Sequence, residues 1–199
     1  MATLSYNEII PRKIIEYNNE PCVVLSSHVF RKQQRKPVNQ TKLKGLKSGK
    51  TLEISFHQSE TVQEADTERQ EITYIYARNG EVWFHEAGNP KNRFSVSEDQ
   101  FGEKMKFVKP NTDIVAIVWH DPSQKGDAGE VIDLDLPIKV ELVVTEAPPS
   151  VKGNTAQGGS KQVVLETGAV ISTPLFINEG DIVRVNTDTQ EYVERAEKN

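Results

Sequence analysis

Residues His28 to Lys50, HVFRKQQRKPVNQTKLKGLKSGK, hold eight lysines and arginines, and no acidic residue occurs between Pro21 and Leu52. The whole chain carries 24 Lys and Arg against 29 Asp and Glu, a formal net charge of −5. One short segment therefore concentrates a third of the cations and leaves the remainder strongly acidic. Charge this uneven marks contact with a polyanion. The same segment decides the fold. Val38, Gln40, Lys42 and Lys44 alternate with Asn39, Thr41, Leu43 and Gly45, which is the two-residue period of a strand. Upstream, Cys22 to Leu25 and Val29-Phe30 are apolar, β-branched or aromatic, and read as a second strand. Arg31 to Lys36 is the polar break between them. The pair forms a β-hairpin whose tip, Arg31-Lys32-Gln33-Gln34-Arg35-Lys36, surrounds two neutral amides with four cations. Pro37 suits the first residue of the return strand, where a missing N–H costs least.

Outward from the hairpin, the chain reads as strand after short strand. Asn18-Asn19 is a turn signal between Lys13–Tyr17 and Pro21–Phe30. Ser48-Gly49 turns the basic strand into Thr51–Phe56, where Leu52, Ile54 and Phe56 alternate with polar residues. About four strands in the first 65 residues predict a small SH3-like barrel. His57 to Gln70 is acidic and polar and reads as a linker or exposed loop. A second β unit follows, with strands at Ile72–Ala77 and Glu81–His85 joined by Arg78-Asn79-Gly80. Asn-Gly is the strongest short hairpin signal, because both turn positions accept φ > 0. Ser97 and Gln100 fit a capping box opening a helix from Glu98 to about Met105. Strands at Asp113–Trp119 and Val131–Leu134 complete the composition of an OB-type barrel.

A third unit begins near Leu136, with strands at Ile138–Val144, Gln162–Leu165, Ala169–Thr173, Asp181–Asn186 and Tyr192–Arg195. The expected architecture is all-β: three consecutive small β-barrels, one SH3-like and two of the OB-fold type. The expected domains are residues 1–67, 68–134 and 135–199. Cores of about 65 residues each are small but feasible.

Composition excludes several classes. At 36% hydrophobic and 27% charged residues the chain is ordinary for a globular protein. No apolar run approaches the roughly 20 residues that cross a membrane. The start, MATLSYNEII, lacks a basic and an apolar signal region, so the expected compartment is the cytoplasm. Cys22 is the single cysteine, which excludes an internal disulfide and a multi-cysteine metal site. On an apolar strand it reads as a small buried hydrophobe.

No catalytic constellation is present in the sequence. Gly45-Leu46-Lys47-Ser48-Gly49-Lys50-Thr51 approaches a phosphate-binding P-loop but is one residue short between its glycines. It also leads into a strand instead of the helix whose N-terminus the chemistry requires, so it reads as a turn. The glycine-rich loop Gly153 to Lys161 lacks the Gly-Lys-Ser/Thr order. His28, His57, His85 and His120 are scattered singly, without metal-ligand spacing, and read as structural. No carboxylate pair is fixed into an acid–base arrangement. The expectation is a non-enzymatic chain without cofactor or metal, whose basic hairpin meets RNA.

Several segments resemble bacterial elongation factor P, and the likeness covers essentially the whole chain. KQVVLETGAVISTPLFINEGD, Lys161 to Asp181, is similar to that family's C-terminal signature, with Val163 where Ala is usual and Thr173 where Val is usual. VKGNTAQGGSK, Val151 to Lys161, resembles the family's loop, with Asn154 in place of Asp. VNTDTQEYVERA matches the family's ending at Tyr192 and Arg195, and TKLKGLKSGKTLEISFH is similar to its first-domain strand pair. The resemblance implies a factor that binds both ribosomal subunits between the P and E sites and contacts peptidyl-tRNA. It implies that the hairpin tip reaches toward the peptidyl-transferase centre and relieves stalling at consecutive prolines. Lys42, Lys44, Lys47 and Lys50 are the expected RNA-binding residues of the basic strand. The loop with Gly153, Asn154, Thr155, Ala156, Gly158 and Gly159 is implied to lie near the E-site codon. A monomer without membrane contact is expected.

At the tip the sequence departs from the family. Many members carry Pro-Gly-Lys-Gly there, with a post-translationally extended lysine. An ungapped alignment from Glu20-Pro21 to Lys42-Leu43 places Lys32-Gln33-Gln34-Arg35 on those positions, and Gln34 stands where the lysine would be. The unusual tip keeps a divergent paralogue with a narrower ribosomal role open. A generic single-stranded nucleic-acid binder is the other alternative, since OB barrels often serve that purpose.

Overall fold

The computed structural model describes residues 2–31, 36–124, 129–149 and 159–197. Among these residues there are sixteen strands and one α-helix. The first six strands are β1 (Thr3–Ser5), β2 (Ile14–Tyr17), β3 (Glu20–Phe30), β4 (Val38–Gly45), β5 (Thr51–His57) and β6 (Thr61–Gln63). Strands β2 to β5 form an antiparallel meander in sequence order, and β1 pairs with β6. A bridge between Ile15 and Glu64 joins the two sheets. Asn18 and Asn19 both take positive φ, 53° and 62°, in the two-residue turn closed by Tyr17 and Glu20. Leu4, Ile9, Ile15, Cys22, Val24, Leu43, Phe56 and Val62 fill the interior, as an SH3-like barrel requires.

His57 to Gln70 is not a linker. Val62, the one large aliphatic residue within QSETVQEAD, is 8% exposed, and Ala65 is buried beside it. Thr61–Gln63 pairs with the N-terminal strand through Leu4 and Val62. A three-residue strand with one inward side chain leaves no visible alternation, so its pairing partner, not its own pattern, makes it a strand.

Strands β7 (Thr67–Arg78), β8 (Glu81–Glu86), β9 (Asn89–Ser97), β10 (Asp113–Trp119) and β11 (Glu130–Asp135) form a sheet in the order β11-β10-β7-β8-β9. Asn79 at φ 56° and Gly80 at φ 80° make the expected tight turn between Arg78 and Glu81. The strand β9 escapes the hydrophobic pattern. Its sequence, NPKNRFSVS, is mostly exposed and begins near a proline, which an edge strand tolerates. Its Phe94 stacks on the buried Phe84, with ring centroids 5.7 Å apart. The helix α1 (Glu98–Met105) follows and buries Phe101 and Met105, one turn apart. The expected capping box does not form: Ser97 holds the N-cap position in an extended conformation, but its side chain makes no capping hydrogen bond. Glu98 and Asp99 in the first turn favour the positive end of the helix dipole instead.

Strands β12 (Lys139–Glu146), β13 (Ser160–Leu165), β14 (Val170–Pro174), β15 (Ile182–Asn186) and β16 (Glu191–Glu197) form a sheet in the order β14-β13-β12-β15-β16. Both five-stranded sheets thus place their first strand at the centre, flanked by the second and fourth. In the last sheet β14 and β16 also approach each other, which closes the ring. This is the strand order of an OB barrel.

The chain divides into two compact units, residues 1–70 with 116–133 and residues 71–115 with 134–199. Within the second unit, Phe107 just beyond α1 is 3% exposed. It packs in one cluster with Leu142, Val163, Leu165, Ile177 and Val183 of the last barrel. Lys109 reaches Glu166 at 3.3 Å nearby. Removing so large a buried ring leaves a cavity, so Phe107→Ala is expected to cost about 3–5 kcal/mol. Urea unfolding followed by circular dichroism measures this, and a change below 1 kcal/mol would contradict the anchoring role.

Candidate nucleic-acid interface

The basic hairpin is built from β3 and β4, with β5 on the far side of β4. Along β4 burial alternates without a break. Asn39, Thr41 and Leu43 are at most 1% exposed and Gly45 is buried, whereas Gln40, Lys42 and Lys44 are exposed. Leu43 joins the core, but Asn39 and Thr41 place polar groups inside. Asn39 Nδ2 donates to the carbonyls of Tyr6, at 2.6 Å, and Ile9, at 3.0 Å. This ties the return strand to the segment after β1. Its Oδ1 and the Thr41 hydroxyl have no hydrogen-bond partner among the described residues.

The register runs from Cys22–Gly45 to Phe30–Val38, with a bulge that skips Leu25. It sets Lys42 opposite Ser26 on one side and Glu53 on the other, and Lys44 opposite Val23 and Thr51. Arg31 and Lys36 stand exposed at the end of the hairpin, and Pro37 is half-buried. The expected tip residues Lys32, Gln33, Gln34 and Arg35 lie outside the described residues.

Lys47 and Lys50 belong to the connection between β4 and β5, not to a strand. Leu46 to Ser48 form a turn that leads into β5, as expected for the segment with the P-loop-like spacing. Glu20 organises it by accepting from the Ser48 N–H at 3.1 Å and from its hydroxyl at 3.0 Å. A Cβ on Gly45 would come within 2.5 Å of the Ser48 hydroxyl and 2.7 Å of the Glu20 carboxylate, so a side chain there would displace this pair. Lys47 lies 5.1 Å from the centroid of the Trp119 ring and 2.8 Å from a Glu130 carboxylate oxygen. The Trp119 indole in turn donates to Glu16 at 2.5 Å. The charge of Lys47 is therefore partly committed within the first unit, while Lys42 and Lys44 project from the sheet.

Cys22 is 1% exposed, and burial, reinforced by Glu20 and Glu16, pushes its thiol up to about 11. It is an inert core residue. Among the described residues no group of three or more His, Cys, Asp or Glu side chains could hold a metal ion. No helix in them is long and apolar enough to cross a membrane.

In the last barrel, Gly159 opens the approach to β13, and Gly153, Asn154, Thr155, Ala156 and Gly158 lie outside the described residues. Tyr192 packs against the core, and burial raises its phenol. Arg195 stands 3.5 Å from Asp181, whose side chain is 2% exposed, and 5.3 Å from the centre of the Phe176 ring. Both C-terminal positions thus have structural work inside this barrel.

Two family profiles match the chain: the elongation factor P KOW-like domain over residues 5–62, and the elongation factor P C-terminal domain over residues 140–195. Elongation factor P of Natranaerobius thermophilus is 41% identical over 156 residues, 78% of each chain. That of Desulforudis audaxviator is 35% identical over 193 residues, 97% of this chain and all of the relative. The chain belongs to the elongation factor P family. It is a translation elongation factor. Among solved structures, translation initiation factor 5A from Methanococcus jannaschii superposes with a TM-score of 0.49 at 10% identity, over 59% of this chain and 86% of that one; so slight a likeness carries no weight.

As a member of the elongation factor P family, the chain keeps the whole basic hairpin inside the matched KOW-like span, and Tyr192 and Arg195 inside the matched C-terminal span. Sequence patterns did not expose one feature of the hairpin. His28 and His57, read as isolated structural histidines, both stand exposed on its outer face. They come from strands separated by a third, so only the register reveals that they share a face. The two faces of β4 are expected to respond differently to mutation. Asn39→Ala leaves one buried and one part-buried carbonyl without their donor and is expected to destabilise by about 2–3 kcal/mol. Lys42→Ala and Lys44→Ala are expected to stay within about 0.5 kcal/mol, as exposed sites do. Thermal unfolding of the three variants checks the contrast, and equal stability loss on both faces would contradict it.

Proposed function

We propose that this elongation factor binds the ribosome between the P and E sites and holds peptidyl-tRNA so that peptide bonds form at consecutive prolines. The carrying observation is the hairpin's two-sided construction. The inner face of β4, with Asn39, Thr41 and Leu43, is buried in the barrel, while Lys42 and Lys44 face outward and Arg31 and Lys36 stand at the hairpin's end. Cations placed on a rigid scaffold act as positioning contacts to phosphate. Proline is a poor nucleophile partly because its ring restricts geometry. A factor that keeps the reactants in a near-attack arrangement lowers the barrier without supplying an acid or base. The ribosome remains the catalyst, and no side chain of this factor does chemistry.

The same proposal places the segment of Gly153 to Gly159 near the E-site codon and assigns three successive domains, residues 1–67, 68–134 and 135–199. The strand runs of the three larger sheets support that division, with β7 opening at Thr67 and β12 at Lys139. The factor works as a cytoplasmic monomer with ribosome and peptidyl-tRNA as partners. A divergent paralogue with a narrower role is the second reading, favoured by Lys32-Gln33-Gln34-Arg35 in place of the family's lysine-bearing tip.

In this proposal Gln33-Gln34 acts as an unmodified tip. An extended lysine reaches by length, whereas glutamine depends on its neighbours for placement, and each amide both donates and accepts. Losing one such hydrogen bond costs about 0.5–1.5 kcal/mol, a roughly two- to tenfold slowing. Gln34→Ala is therefore expected to slow translation of a consecutive-proline reporter by that factor. A Gly/Ser turn over residues 31–36 should abolish rescue while ribosome pelleting is checked in parallel. If the Gly/Ser variant binds and rescues as fully as the wild type, the tip is a spacer and the mechanism is wrong.

A further inference from the structure

The outer face of the hairpin carries more than lysines. Phe30 of β3 pairs with Val38 of β4, which pairs with His57 of β5. In the adjoining outward row, His28 pairs with Gln40, and Gln40 with Ser55. Directly paired residues share a face, so His28, Phe30, Val38, Gln40 and His57 occupy one patch. Its extent is about 10 Å across the strands and about 7 Å along them. His28 and His57 are exposed, and Phe30 and Val38 are half-buried. The His28 and Phe30 rings are stacked, with centroids 6.2 Å apart and planes inclined by 18°. Three flat rings thus surround one apolar side chain and one amide. Lys42 and Lys44 continue the same face on β4, while Arg31 and Lys36 border it at the other end.

We propose that this face is a stacking platform for an unpaired nucleotide of single-stranded RNA, with His28, Phe30 and His57 taking the base and Lys42 and Lys44 taking phosphates. Charge selects the class of occupant. Four cations border the rings, against two acidic residues: Glu53, opposite Lys42, and Glu60, whose carboxylate accepts from the His57 N–H at 2.7 Å. A positively charged track beside exposed aromatic rings is how proteins hold single strands, because every base has a face to stack. A duplex keeps its bases paired and stacked internally, so it offers the lysines phosphates but the rings nothing. Gln40, in the row between His28 and Ser55, supplies an amide for the edge of the base. The inference deepens the ribosomal proposal by naming the residues through which the hairpin meets RNA beyond its tip.

The probe is a short single-stranded oligoribonucleotide containing one 2-aminopurine, compared with a duplex of the same sequence at low ionic strength. Stacking quenches 2-aminopurine fluorescence, so wild-type protein should quench the single strand and not the duplex. Loss of one base–aromatic stack weakens binding substantially. His28→Ala/His57→Ala and Phe30→Leu should each raise the concentration needed for quenching by about tenfold. The histidines are exposed, and Phe30→Leu keeps apolar bulk, so unchanged circular dichroism melts are expected. Lys42→Ala/Lys44→Ala should weaken binding and flatten its salt dependence, while any complex that still forms remains quenched. Undiminished quenching in both ring variants, or equal affinity for the duplex, would overturn the platform. Ribosome pelleting separates the two ideas. Protein that quenches the oligomer but does not sediment with ribosomes keeps the platform and sinks the ribosomal role, and sedimentation without ring-dependent quenching does the reverse.

Discussion

The buried amide of Asn39, donating to the carbonyls of Tyr6 and Ile9, holds the return strand of the basic hairpin against the first barrel. The strand cannot slide without breaking those bonds. A one-residue slip would also turn Lys42 and Lys44 inward and Leu43 outward, since side chains alternate faces along a strand. Burying two unpaired ammonium groups would cost far more than the fold can spare. Register is thus specified twice, by apolar burial at Leu43 and by the Asn39 anchor. Both the cations and the rings of the outer face inherit their positions from it.

The basic residues of the segment divide by what surrounds them. Lys47 sits over Trp119 and beside Glu130, contacts that fasten residues 116–133 to the first barrel. Lys42 and Lys44 project from a strand whose inner neighbours are fully buried. A single run of positive charge therefore serves two ends, one structural and one directed outward. Glu20 marks the boundary: the nearest acid before the run, it folds back onto Ser48 and shapes the turn that ends it.

The two strands of the hairpin were legible because the alternation from Val38 to Gly45 is long, and the Asn79-Gly80 turn because its chemistry is plain. The helix at Glu98 was legible in place but not in cause, since Ser97 makes no capping bond. Elements without their own pattern were missed. Thr61–Gln63 has one inward residue, and Asn89–Ser97 is a polar edge strand, so each is a strand because of its neighbour. The same holds for the candidate site. Lysines in one strand can be counted along the chain, but His28 and His57 come to one face only through β4. The character of Lys47 depends on Trp119, 72 positions away.

The central claim is that the factor accelerates bond formation by positioning, with selectivity for proline. Purified ribosomes with a peptidyl-tRNA ending in proline, supplied with prolyl- or phenylalanyl-tRNA, test it directly by rapid-quench kinetics. The account predicts that adding the protein speeds the proline–proline bond, leaves the phenylalanine acceptor nearly unchanged, and loses effect steeply as salt rises. No acceleration, or equal acceleration with both acceptors, would contradict it.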